Sequence, residues 1–230
     1  GDGDGWLELG DKEYVRVTGN PYTNHYYSES GMTNFKEGRY YYFQVEPISW
    51  KVLSGQGDNC GLVMSEEVLG NVPFCKVSQR YDADNTLIYA NNYKYSDLRC
   101  FLNGIDQTSF FEDDYGMTDY SGKGFIDMAF DSAEQNKIKT TDVDNTVSST
   151  GYETNPYACK NTQDKIFALS YSELTNTAYG FRSTIYTDKA RVVLATDYAI
   201  ACGTYIYSDL SSSYAYRGAR WRTRSPKDSA

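Results

Sequence analysis

Tyrosine sets the tightest limit on what this chain can fold into. It fills 23 of 230 positions, against 10 Phe and 3 Trp. Each buried phenol needs a partner for its hydroxyl, so this many cannot all be core. Tyr suits pleated, half-buried strands and contact surfaces. The composition therefore predicts strands with one wet face, and loops that meet partners. Residues 6–9 and 14–18 alternate around Gly10-Asp11, which predicts a β-hairpin. Residues 39–45 (RYYYFQV) are β-rich and aromatic, Glu46-Pro47 interrupts them, and residues 48–53 (ISWKVL) resume. Residues 55–59 form a turn by composition, and residues 60–64 (CGLVM) return as a strand. Residues 19–36 read as a long surface loop.

Helix signals are short. Ser96 is an N-cap for SDLRCFLNG, with Leu98, Phe101 and Leu102 on one face and Gly104 as the left-handed exit. Asp131-x-x-Glu134 resembles a capping box, with Ala133 and Ile138 as the apolar positions, and Ser170-x-x-Glu173 is another, ending at Gly180. Residues 196–203 have cap-like ends. Residues 165–169 (KIFAL) read as a buried strand, and residues 140–163 as a polar stretch. The pattern is α+β. One core is expected, built from Trp50, Val52, Leu53, Leu62, Leu98, Leu102, Ile138, Ile166, Phe167 and Leu169.

The net charge of −9 argues against general nucleic-acid binding, which needs a basic footprint. No apolar run approaches the length that crosses a bilayer. The five cysteines, Cys60, Cys75, Cys100, Cys159 and Cys202, form no C-x-x-C pair. They are compatible with one disulfide in an exported chain or with several buried thiols, and do not fix the compartment.

Catalytic patterns are missing. His25 is the single histidine, so a Ser-His or Cys-His base has no other source, and no G-x-S-x-G elbow or phosphate loop occurs. Glu66-Glu67 and Glu112-Asp113-Asp114 could supply the acidic pair of a glycosidase, but read as exposed charge. Asp142, Asp144, Asn145 and Glu153 could offer hard oxygens to calcium; their spacing fails the EF-hand pattern, and they read as a solvated loop. No catalytic residue, metal or cofactor is assigned.

The binding candidate is the stretch 204–226, TYIYSDLSSSYAYRGARWRTRSP. Tyrosine offers rigid contact area, serine adaptable hydrogen bonds, and Trp and Arg are common interface anchors. The expected ligand-binding residues are Tyr205, Tyr207, Tyr214, Tyr216, Arg217, Arg220, Trp221 and Arg222. Arg224 closes the same run.

Seven segments carry a resemblance: EPISWKVL (46–53), VMSEEVL (63–69), SDLRCFLN (96–103), FDSAEQNKI (130–138), TQDKIFALSYSE (162–173), TDYAIACG (196–203) and WRTRSP (221–226). In order and spacing they resemble, over residues 39–226, an uncharacterised bacterial domain of unknown function with a C-type-lectin-like fold. That family is common in surface and secreted proteins of gut bacteria. The resemblance implies antiparallel sheets, helices at residues 96–103 and 131–138, and ligand binding on loops near W-x-L-R-S-P. It implies a C-type-lectin-like domain over 39–230, preceded by a hairpin and loop extension over 1–38. Phe101 replaces the family's usual Trp, and Thr223 its usual Leu. The family continues beyond R-S-P to a terminal V-R-P-A-L strand, so the domain is expected to lack its closing strands. The calcium-lectin motifs E-P-N and W-N-D are absent. The function implied is a non-enzymatic, exported adhesion module, part of a larger parent protein, recognising a glycan or protein without membrane insertion. The alternatives are a carbohydrate-active hydrolase using an acidic pair and a purely structural surface domain.

Overall fold

The computed structural model describes residues 5–22, 26–28, 31–55, 61–77, 79–82, 84–111, 116–184, 188–207 and 218–227. Among them the strands in chain order are β1 Trp6–Leu9, β2 Lys12–Thr18, β3 Tyr26–Ser28, β4 Gly31–Thr33, β5 Tyr40–Gln44, β6 Trp50–Ser54, β7 Leu62–Ser65, β8 Glu67–Val68, β9 Gln79–Tyr81, β10 Leu87–Tyr89, β11 Thr141–Val143, β12 Thr162–Asp164 and β13 Leu194–Ala195. The helices are α1 Asp97–Asn103, α2 Phe125–Ala129, α3 Ser132–Gln135, α4 Val147–Thr150, α5 Tyr171–Leu174 and α6 Asp197–Ala201. The class is α+β, with several small antiparallel sheets and short helices. No helix among the described residues is long and apolar enough to cross a membrane. The chain divides into two compact units, Gly1–Asn71 with Asn176–Trp221 and Val72–Thr175 with Arg222–Ala230.

The first unit is built on an antiparallel sheet of order β1-β2-β5. Gly10 turns the hairpin at φ +67°, a conformation open to glycine without penalty. Val17, Tyr41 and Phe43 point inward onto a buried cluster of Phe35, Ala195, Ala199, Ile200, Ala201, Ile206 and Ala219. The alanines matter: with no side chain to spare, α6 lies close to the sheet, and Ala199, Ile200 and Ala201 are completely buried. Phe35 meets Tyr41 and Phe43 edge-on at 4.9 and 5.7 Å. The β8–β13 pair is parallel and joins residues far apart in the chain. The expected loop at 19–36 contains the β3–β4 hairpin; His25 lies outside the described residues.

The single-core expectation fails for Trp50 and Val52, which are 38% and 52% exposed. A strand alternates its side chains, so β6 can bury one face only. It buries Leu53, and Val52 stands beside its cross-strand partner Val63 on the wet face. Leu62, Leu98, Leu102, Ile138, Ile166 and Phe167 are half-buried. Leu53 and Leu169 are buried but belong to different units.

The second unit buries polar groups beside apolar ones such as Ile126, Val143 and Leu174. Ser96 caps α1 by accepting from the Arg99 N–H at 3.1 Å, and Gly104 ends the helix at φ +61°. The buried positions of α1 are Asp97, Arg99 and Cys100, whereas Leu98, Phe101 and Leu102 are half-buried. Arg99 is bonded to the buried Asp164 at 2.8 Å, and Thr162 donates to that carboxylate at 2.6 Å. The Asn103 amide accepts from the N–H groups of Lys165 and Ile166 at 2.9 and 3.1 Å, and donates to the Ile166 carbonyl at 2.8 Å. Residues 165–169 are therefore not the expected strand: β12 ends at Asp164, and a side chain takes over the backbone groups. The capping boxes Asp131/Glu134 and Ser170/Glu173 both form. Ala133 is nonetheless exposed, and Gly180 ends a separate 3-10 turn at Thr177–Tyr179. No local signal marks α2, whose N-cap is Gly124; a Cβ on Gly124 would come within 2.5 Å of the Gly104 backbone.

Candidate functional site

The 204–226 stretch divides between scaffold and surface. Thr204 is anchored by its N–H to the Ala199 carbonyl at 3.0 Å, just past α6. Gly203 precedes it at φ +105°, with no room for a Cβ beside the Asn20 carbonyl. Ile206 then enters the core, 6% exposed, and pairs antiparallel with buried Ala219. Because side chains alternate along an extended chain, burying Ile206 turns Tyr205 and Tyr207 the other way. The Tyr207 N–H donates to Gly218 at 2.9 Å and the Arg220 N–H to Tyr205 at 2.8 Å, which fixes the ribbon.

This geometry gathers an aromatic cluster. The rings of Tyr205 and Tyr207 meet edge-on at 5.2 Å. Tyr22 adds an edge-on contact to Tyr205 at 4.9 Å and is 64% exposed. The exposed Arg220 guanidinium lies over the Tyr205 ring at 5.6 Å. Tyr22 was not a sequence candidate. Nothing local marks it; it joins the cluster because the Asn20 N–H is tied to the Ala201 carbonyl at 2.8 Å. The arrangement offers rigid ring edges and faces beside one cationic fork. Such a surface can stack on sugar C–H faces or apolar side chains and pair with a carboxylate.

Other candidates are placed differently. Tyr214, Tyr216 and Arg217 lie outside the described residues. Trp221 is half-buried, and its indole N–H donates to the Arg191 carbonyl at 3.3 Å. Arg222 is exposed and belongs to the second unit.

Arg224 is a clasp, 3% exposed. Its guanidinium grips both Glu173 oxygens at 2.6 and 2.9 Å, the Ala168 carbonyl at 2.7 Å and the Asp144 carbonyl at 3.2 and 3.3 Å. It also lies over the Phe167 ring at 5.3 Å. Ser225 donates to the Ser149 carbonyl at 2.8 Å and accepts from the Tyr171 N–H at 2.9 Å; Asn155 donates to the Pro226 carbonyl at 2.8 Å. The R-S-P segment thus ties together loops of the second unit.

Several aspartates are similarly occupied. Burial alone would raise the proton affinity of Asp144, but hydrogen bonds from Ser148 and Thr146 and the charge of Arg224 outweigh it and hold the carboxyl below its usual range. Asp188 is held low in the same way by the N–H groups of Arg182 and Ala190 and by Arg191, and Asp119 by the backbone and side chain of Ser121. These shifts run opposite to that of a glycosidase general acid, whose affinity must rise. Glu66 is exposed, Glu67 is half-buried in β8, and residues 112–114 lie outside the described residues. Among the described residues no three His, Cys, Asp or Glu converge as a metal set. Cys75, Cys100, Cys159 and Cys202 are free thiols, and burial pushes Cys100 up to about 12; Cys60 lies outside the described residues.

A family model described as "Domain of unknown function (DUF6273)" matches residues 58–230. That span takes in α1 to α6 and the R-S-P clasp, and begins after β6. No curated protein and no solved structure matches the chain.

Proposed function

The chain belongs to the DUF6273 family, and we propose that it serves there as a non-catalytic module that binds a glycan or protein ligand. The observation that carries this reading is the cluster of Tyr22, Tyr205, Tyr207 and Arg220, held by a buried ribbon but itself turned outward. Three aromatic rings, one exposed and two half-buried, and an exposed guanidinium on a rigid base lose little entropy when a ligand arrives. The proposal extends to a C-type-lectin-like arrangement and to export or surface display as part of a larger protein, on the strength of the motif order from Glu46 to Pro226.

The test is a glycan array followed by titration of the best ligand against wild type, Tyr205→Ala and Arg220→Gln. Each substitution is expected to weaken binding by about tenfold, as interface anchors do. A ligand bound equally well by both variants would place recognition elsewhere. Turnover of glycosides that survives purification and is lost on replacing one carboxylate would replace the proposal with the hydrolase.

A further inference from the structure

The outward face of the β1–β2–β5 sheet holds a second set of aromatic and basic groups, none shared with the cluster around Tyr205. Alternation sends Val17, Tyr41 and Phe43 to the core and leaves Lys12, Tyr14, Arg16, Tyr40, Tyr42 and Gln44 on the other side. Tyr40 and Tyr42 are 63% and 52% exposed. Arg16 is the direct cross-strand partner of Tyr42, and its guanidinium lies over the Tyr40 ring at 5.0 Å. Lys12 donates to the Gln44 side-chain oxygen at 3.0 Å.

The charge on this face is segregated. The chain carries 31 acidic residues against 22 basic. Yet no outward position of these three strands is Asp or Glu; Glu8 and Glu13 pair with each other on the opposite side. A cationic face on an acidic protein selects an anionic occupant.

We propose that this face binds a carboxylated polysaccharide, an extended chain of uronate-type sugars. Neighbouring strands stand about 4.8 Å apart, and outward residues of one strand about 6.8 Å, so these side chains span several sugar units on a pleated, open surface. Tyrosine faces stack on the C–H faces of the rings. Arg16, steadied by Tyr40, presents a fork that matches a carboxylate in two parallel hydrogen bonds. Lys12 adds a point charge, and the Gln44 amide N–H groups can donate to hydroxyls. Repeated rings beside polar donors match a sugar polymer better than an acidic peptide, which would look for a pocket to anchor a side chain.

The experiment is affinity electrophoresis and calorimetry of the intact chain with polygalacturonate, its methyl ester and polyglutamate. Polygalacturonate is expected to bind, with affinity falling as salt rises. Methyl esterification, Arg16→Gln and Tyr42→Ala should each weaken binding by about tenfold, and Arg16→Lys by less. Arg220→Gln is measured beside them, which separates this face from the other cluster. Far-UV circular dichroism checks that each variant folds, and Tyr40→Ala stands in if Tyr42→Ala does not. The proposal is overturned if polygalacturonate does not bind, or if the folded variants bind like wild type. It also falls if only Arg220→Gln has an effect, or if polyglutamate binds as tightly with the same sensitivities.

Discussion

Two arginines four positions apart should behave in opposite ways. Arg224→Ala removes a guanidinium that donates five hydrogen bonds. Truncating one partner of a buried ion pair costs about 3–5 kcal/mol, because the other charge stays behind. Glu173 is not fully stranded: its side chain is 22% exposed, and it still accepts from the Ser170 N–H at 2.7 Å. Water can also reach the Ala168 and Asp144 carbonyls through the hole left by the side chain. These reliefs place the loss at the lower end, about 3–4 kcal/mol, or on the order of 10 °C in Tm. Arg220→Ala removes an exposed guanidinium and should change stability by less than about 0.5 kcal/mol. Urea unfolding followed by far-UV circular dichroism measures both. Hydrogen exchange of peptides covering 144–149 and 168–174 localises the effect. Tryptophan fluorescence is the wrong probe, because Trp6, Trp50 and Trp221 all belong to the other unit. A loss below about 1 kcal/mol for Arg224→Ala, or equal losses for the two variants, would refute the clasp.

Two further outcomes follow from the same physics. Gly124→Ala should destabilise by about 1–3 kcal/mol, because its Cβ would meet immovable backbone at Gly104 and Phe101; an unchanged urea midpoint would show that α1 and α2 can separate freely. Asp188 has a folded pKa below its unfolded value, so its contribution is complete above about pH 4 and disappears as pH falls through the lower folded value. The urea midpoint should therefore drop less between pH 5 and pH 2 for Asp188→Asn than for wild type, and parallel drops would refute this.

The sequence by itself determined the local geometry. Capping boxes, the Ser96 cap and the Gly10 hairpin depend on groups a few positions apart, so their chemistry is written in adjacent letters. The motif order also pointed to a domain of unknown function, and the family match agrees. Tertiary structure decided which face each element buries. Period-2 spacing named Trp50 and Val52 with Leu53, but a strand covered on one side buries alternate residues only, and what lies on that side is set by chain far away. The same holds for the arginine-rich end. Arg220 and Arg224 look alike in sequence; Arg224 is scaffold because Glu173 and the carbonyls of Asp144 and Ala168 converge on it. Tyr22 becomes part of a surface because a backbone bond to Ala201 brings its loop beside Tyr205. Long-range convergence of this kind carries no local signature, since a charged or aromatic residue offers the same chemistry to solvent, to the core and to a partner until the fold chooses among them.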